Sequence, residues 1–285
     1  MDIEFIKLQN TGNDYIVIDA SKNNALKEQH FPELAKKMCS RRFGIGGSGM
    51  LMVMPQPDDT AVIRLFLPNG EEEIKCGNAL LCAAQYVFDM GITSKKTFYI
   101  ITGETRLSCE IIDSNTIRAE IGFPLFPNGE TVILEKSDKN YTESIIIDER
   151  EYSYTPLVVD TPHAVLFVGE HSFPPLQFAK KFEQKSGVSK GLSLDFVKVI
   201  SREEIQVKTW IQKENEAYGC ASGACAAVVA ATINGFSDRE VVVRLRGGEL
   251  FIEWEEASGK LFFTGFAEYV FSGNYYFDES NSEKK

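Results

Sequence analysis

The chain has 285 residues, 44% of them hydrophobic and 25% charged, with a formal net charge of −11 and six cysteines. That length suits two domains and that balance suits a globular protein. The negative charge argues against a nucleic-acid partner, and no apolar run approaches the ~20 residues of a membrane-spanning helix. Six cysteines in so long a chain do not read as a disulfide framework; without CxxC spacing, and with three histidines, they read poorly as a metal site, so no metal is expected. The start, Met1–Lys7, carries acid and alternates like a strand rather than a signal peptide, which points to the cytoplasm.

In chain order, residues 3–8 and 15–19 alternate as half-buried strands do, around the turn-forming cluster Asn10–Asp14. Residues 31–42 read as a helix, with Pro32 near its start and Gly44 past its end. The run Gly44-Ile45-Gly46-Gly47-Ser48-Gly49 leads into a strand at 50–54, not into a helix with Lys-Ser/Thr. A nucleotide-phosphate loop is therefore excluded and tight backbone packing is expected. Residues 61–67 form a strand, Glu71–Glu73 a solvated acidic run, and 77–90 an apolar helix. Short strands follow at 97–101, 105–112 and 116–121.

The proline-rich stretch 123–129 is the candidate boundary, after which the order of the first half returns. Strands are expected at 144–148, 156–159, 164–168, 194–200 and 204–211, with a helix near 175–186 between the third and fourth of them. A second apolar helix, 221–234, then precedes strands at 240–246, 249–254, 260–264 and 267–271 and a frayed tail. The repetition suggests a duplicated α+β architecture, each half holding a small-residue helix buried in its own sheet.

The repeat is clearest in two phrases, Cys76-Gly77-Asn78-Ala79 and Cys220-Ala221-Ser222-Gly223, each opening one apolar helix. A cysteine ahead of a helix meets unpaired backbone N–H groups and the positive end of the helix dipole, which favours its thiolate. Cys39, Cys82, Cys109 and Cys225 read as small core hydrophobes instead. For Cys76 and Cys220 three roles compete. A redox disulfide needs close Cα atoms. A thiol nucleophile needs a base, for which His163 is available. Proton exchange at a carbon acid needs one acid–base group on each face, which two facing cysteines supply.

These residues resemble the diaminopimelate epimerases, two-cysteine enzymes that work without pyridoxal phosphate or another cofactor. The resemblance runs through Thr11–Tyr15, Gly44–Gly46, Cys76–Asn78, Pro162-His163, Cys220–Ala226 and Gly247-Gly248. Asn78 after Cys-Gly is similar to the epimerases, where proline racemases, which share the fold with phenazine-type isomerases, have His. The resemblance implies two pseudo-symmetric halves, 1–122 with 265–285 and 123–264, each a curved mixed or antiparallel sheet around a central helix. It also implies a catalytic pair Cys76 and Cys220, often in a homodimer. Gly77, Asn78, Ala221 and Ser222 would offer backbone N–H groups to the substrate carboxylate, Gly223 and Asn13 would contact substrate, and His163 would support the reacting centre.

The departures all concern recognition of the distal end of the substrate. Ile211 and Gln212 stand where the family has a Glu-Arg pair, and Leu67, Thr161 and Ser193 stand where it has Asn. Ala79 and Leu81 replace Gly and Arg, Ser48 replaces an Asp, and Gly49 beside it is grouped with the specificity positions. Glu214 or Glu216 is the expected substitute for the missing acid. These changes predict a racemase of a single α-amino acid other than diaminopimelate, with histidine as a guess. A diaminopimelate epimerase with a rebuilt clamp, or a non-catalytic amino-acid-binding protein, are the alternatives.

Overall fold

The computed structural model describes residues 1–74, 77–134, 141–169, 176–186, 191–211 and 215–278. Cys76, Gln212, Glu214 and the tail from 279 lie outside the described residues. The chain divides into two units, Met1–Ala119 with Gly265–Lys285, and Glu120–Thr264. The fold is α+β and dominated by strands.

In the first unit the order is β1 (Asp2–Asn10), β2 (Asn13–Asp19), α1 (Phe31–Met38), β3 (Gly49–Gln56), β4 (Thr60–Phe66), β5 (Glu72–Glu73), α2 (Gly77–Asp89), β6 (Thr97–Thr102), β7 (Thr105–Ile111) and β8 (Thr116–Gly122). The unit boundary falls inside β8. The second unit continues with β9 (Glu143–Ile147), β10 (Arg150–Val159), β11 (Thr161–Phe167), α3 (Leu176–Ser186), β12 (Ser193–Val199), β13 (Glu204–Ile211), β14 (Asn215–Glu216), α4 (Ala221–Ile233), β15 (Glu240–Leu245), β16 (Gly248–Trp254) and β17 (Leu261–Phe266). The last strand, β18 (Glu268–Tyr276), belongs to the first unit.

The ladders repeat. In the first unit β1 runs antiparallel to β2, β2 parallel to β3, β3 antiparallel to β4, β4 parallel to β6, and β6 antiparallel to β7. In the second, β10, β11, β12, β13, β15 and β16 follow the same sequence of antiparallel and parallel pairings. A helix makes each parallel crossover, as chain connectivity demands. α1 joins β2 to β3, α3 joins β11 to β12, and α2 and α4 occupy the next crossover in their units.

α2 and α4 are each 13 residues long, and nearly every residue of α4 is buried. Small residues explain this: a helix of Ala, Val, Cys and Gly has no polar face to give to water, so it must be enclosed. α4 packs on β10, β11, β12, β13, β15 and β16 of its own unit, and α2 on β1, β2, β3, β4 and β7. Cys39, Cys82, Cys109 and Cys225 are buried.

Several segments differ from the sequence expectation, β10 among them, which begins at Arg150 rather than 156. α1 ends at Met38 rather than 42 because the glycine run folds back on it: the amides of Gly46 and Gly47 take the carbonyls of Met38 and Cys39, at 2.9 and 3.2 Å. β18 extends to Tyr276, well past 271, because β1 offers it partners as far as Asp2 despite a bulge at Lys7/Leu8. The acidic run forms the two-residue β5, paired with Leu65 and Phe66; Glu72 is held by Arg64 at 2.7 Å and stays exposed.

Candidate active site

The second unit brings together one cysteine, one histidine and their supports. Cys220 is the N-cap of α4, in extended backbone conformation, and its sulfur accepts the Gly223 N–H at 3.4 Å. Ser222 Oγ lies 3.3 Å from the same sulfur. The first-turn amides of a helix have no partner within it, and the dipole is positive there, so this setting favours a thiolate over a thiol. Cys220 is half-buried, Ala221 and Gly223 are buried, and Ser222 is half-buried.

The register of β11, β12 and β13 sets the rest. His163 stands opposite Ser193, and Ser193 opposite Ile211, so the three form one row across three strands. Asp195 lies two residues along from Ser193 and pairs with Thr209. Side chains alternate along a strand and match across a ladder, so Thr161, His163, Ser193, Asp195, Thr209 and Ile211 share one face. The opposite face carries Ala164, Leu166, Leu194, Phe196 and Trp210, which pack with Phe178, Ala179 and Phe182 of α3. Apolar residues thus cover one side, and the polar row is left for the other.

That polar row lies against the start of α4. His163 Nδ1 is 2.7 Å from Asp195 Oδ2, Thr209 Oγ1 donates to Asp195 Oδ1 at 2.6 Å, and Thr161 Oγ1 lies 3.2 Å from His163 Nε2. His163, Asp195 and Thr209 are all buried. A Cβ on Gly223 would lie 2.4 Å from Asp195 Oδ1 and 2.7 Å from Thr209 Oγ1. Only a glycine permits this approach, which seats the first turn of the cysteine-led helix directly on the carboxylate. Sequence reading missed Asp195 and Thr209. The available signal was a carboxylate inside the apolar strand Leu194-Asp195-Phe196, in phase with Ser193.

In the first unit, Asn13 opens β2 after the two-residue turn Thr11-Gly12, both with positive φ (45° and 82°), a hairpin conformation that glycine makes accessible. Beside Asn13, Asp14 is bonded by both arms of Arg41 at 3.0 and 2.7 Å, by Lys7 at 2.8 Å and by Ser48 Oγ at 2.9 Å. Burial pushes the Asp14 carboxyl up, but those hydrogen bonds outweigh it and hold the group well below the usual carboxylate range. Lys7 also donates to Gly46 O at 2.7 Å, so the cluster ties the glycine run to the Asn13 turn.

Gly77 and Asn78 are buried in the first turn of α2. Gly49 pairs with Tyr15 and is buried; Leu67, just past β4, is half-buried. Glu216 does not join the polar row. It is paired with Trp210 and lies 3.7 Å from Lys208, on the α3 side of β13. Among the described residues no group of three or more His, Cys, Asp or Glu is placed to hold a metal, and no helix is long and apolar enough to cross a membrane.

The family model for diaminopimelate epimerase matches residues 5–126 and 158–270. A diaminopimelate epimerase of Desulfitobacterium hafniense is 33% identical over 282 residues, covering 95% of this chain and 97% of that protein. One from Pelotomaculum thermopropionicum is 33% identical over 278 residues, covering 96% and 99%. Among solved structures, a probable proline racemase from Agrobacterium radiobacter K84 superposes with a TM-score of 0.70 at 12% identity, over 98% of this chain and 94% of that one. The fold is thus also that of proline-racemase-like proteins.

Proposed function

The chain belongs to the diaminopimelate epimerase family and is an isomerase acting on amino acids, and we propose that it inverts Cα with two thiols, Cys76 and Cys220, without a cofactor. One cysteine takes the Cα proton: the C–H bond breaks, an S–H bond forms, and the electron pair stays on Cα, spread into the carboxylate. The other cysteine gives its S–H proton to the opposite face, so the two thiols exchange protonation states. Gly77, Asn78, Ala221 and Ser222 provide N–H donors for the carboxylate as its charge grows, Gly223 and Asn13 contact substrate, and His163 supports the centre. The observation that carries this reading is Cys220 at the N-cap of the buried α4, taking the Gly223 N–H. The phrase repeats at Cys76, ahead of a second helix of equal length.

For the substrate, the names of the relatives make diaminopimelate the first reading. A second reading, a single α-amino acid, rests on the row Thr161, Ser193 and Ile211, together with Leu67, Ser48 and Gln212, where charged and amide groups of a distal clamp are missing. Each lost charge-assisted bond costs roughly 1.5–3 kcal/mol, and several together abolish useful binding of a distal zwitterion. Exchange of Cα hydrogen in D₂O, without added cofactor, decides. Exchange of LL-diaminopimelate alone supports the first reading, exchange of a monoamino acid such as L-histidine the second, and no exchange with any amino acid overturns both. We also propose a homodimer, supported by the exposed Tyr269, Val270, Phe271 and Tyr276 of β18. Sedimentation velocity tests it: twice 31.9 kDa is expected, and a monomer at micromolar concentration refutes it.

A further inference from the structure

The geometry points to Asp195 as the positioning residue of His163, fixing the imidazole with its proton on Nδ1 and its lone pair on Nε2. This role in catalysis rests on the proposed function; the tautomer itself does not. Asp195 and His163 are 0% and 1% exposed, and a carboxylate buried so completely must find donors inside the protein. It finds two. Thr209 Oγ1 donates to Oδ1 at 2.6 Å, which leaves Oδ2, 2.7 Å from the ring, for His163 Nδ1. An acceptor oxygen cannot face a ring lone pair at that distance, so the Nδ1 proton is present whether the ring is neutral or charged.

The first turn of α4 is seated on Asp195. Gly223 lies so close that a Cβ would touch Asp195 Oδ1, which puts the positive end of the helix dipole beside an oxygen that accepts. With Nδ1 committed, Nε2 is the one ring atom left to accept a proton. Thr161 Oγ1, 3.2 Å away, donates to it when the ring is neutral and can rotate to accept when it is charged. Asp195 therefore sets how the ring presents its basic nitrogen beside the helix that Cys220 opens. Its side chain bonds His163 and Thr209, so it acts through the ring.

Nitrogen-15 NMR of the intact protein, labelled at histidine, tests the tautomer. The chain has only three histidines, so variants lacking His30 and His171 assign the signals of His163. Above neutral pH, Nδ1 is expected to appear protonated and Nε2 unprotonated; a protonated Nε2 with a bare Nδ1 overturns the inference. Asp195→Asn should loosen the tautomer and lower kcat roughly 10²-fold or more with KM changed by less than about twofold, as tautomer loss does in other His–Asp pairs. A fully active Asp195→Asn with the wild-type histidine signals overturns it. If that variant does not fold, Thr209→Val, which removes one support and keeps the pair, should lower kcat by roughly fivefold. A Thr209→Val variant with unchanged kcat then overturns the catalytic role. If the wild-type protein exchanges no amino acid, the proposed function fails while the tautomer result still stands or falls alone.

Discussion

The two units share one order of strands and helices, yet the strands in their matching places carry different chemistry. In the second unit, Asp195 and Thr209 face one another across β12 and β13 and meet the first turn of α4. The matching residues of β3 and β4 are Leu51 and Leu65, paired in the same way and both buried. His163, opposite Ser193, corresponds to Tyr15, opposite Gly49. Three residues past the cysteine, the second unit has Gly223 and the first has Ala79. Duplication has fixed where the helices lie, while the side chains decide what each may rest on. An apolar pair is compatible with a methyl group on the helix; a carboxylate at contact distance from backbone excludes one. The second helix therefore starts against a buried carboxyl group, and the first starts in a unit whose equivalent positions are apolar.

The strongest way to break this comparison is to remove each thiol in turn. If the units contribute equally to one two-base reaction, Cys76→Ala and Cys220→Ala should each lower turnover by roughly 10²–10⁴-fold, measured as Cα exchange or as change of optical rotation. A fully active single variant removes that unit from the chemistry, and the likeness of the two helices is then only architectural.

The next largest effect is on stability. Gly223→Ala places a methyl group within 2.4 Å of Asp195 Oδ1, so carboxylate or helix must move. Overpacking of that kind costs about 1–3 kcal/mol, and here it should also lower activity by displacing Asp195. The reciprocal change, Ala79→Gly, makes no clash and costs about 1 kcal/mol of helix propensity. Urea unfolding of both variants reads the difference. Equal losses, with activity kept in Gly223→Ala, contradict the seating of α4 on the carboxylate.

The fold and half of this comparison were legible in the sequence because they depend on period and composition. Alternation marks most strands to within a few residues, and two alanine-rich runs led by Cys76 and Cys220 mark the buried helices. The polar row was not legible, because its members come from three strands. Thr161, His163, Ser193, Asp195, Thr209 and Ile211 are brought to one face only by the parallel crossover through α3 and by the register of β12 on β13. The place of Glu216 was hidden for the same reason, since chain distance does not reveal that the turn into β14 puts it with Trp210 and Lys208. The early end of α1 was hidden too, because the donors that stop it come from the glycine run after it.

A smaller contrast lies in where each unit keeps a well-held carboxylate. The first keeps Asp14 at the Asn13 turn, held below the usual range by Arg41, Lys7 and Ser48 against the opposing effect of burial. A carboxyl whose folded pKa is depressed stabilises the protein above its unfolded value, near 4, and loses that contribution as pH falls toward the folded value. Stability should therefore drop on acidification below about pH 4. Asp14→Asn should be less stable at neutral pH and show a shallower acid limb. An acid limb that is as steep in Asp14→Asn as in the wild type places the acid sensitivity elsewhere.

The smallest expected effect is in thiol reactivity, and it separates the cysteines that make the repeat visible from those proposed to act. Cys39 is buried, and burial pushes its thiol up to about 12, with Asp14 adding to the shift and Arg41 and Lys7 opposing it. Burial likewise drives Cys225 up, with Cys220 and Asp160 adding to it. A thiol of pKa about 12 is ionised to roughly one part in 10⁴ at pH 8, and the thiolate is the reactive form. Cys82 and Cys109 are fully buried and present no surface to a reagent. Iodoacetamide at pH 8 should therefore alkylate Cys220 before Cys39, Cys82, Cys109 and Cys225 in the native protein, since it is half-buried and its sulfur already takes a helix N–H. Peptide mass spectrometry should find Cys39, Cys82, Cys109 and Cys225 labelled only after unfolding. Rapid native labelling of Cys225 would mean that α4 opens along its length, and the close seating of Gly223 on Asp195 could not then hold that helix in place.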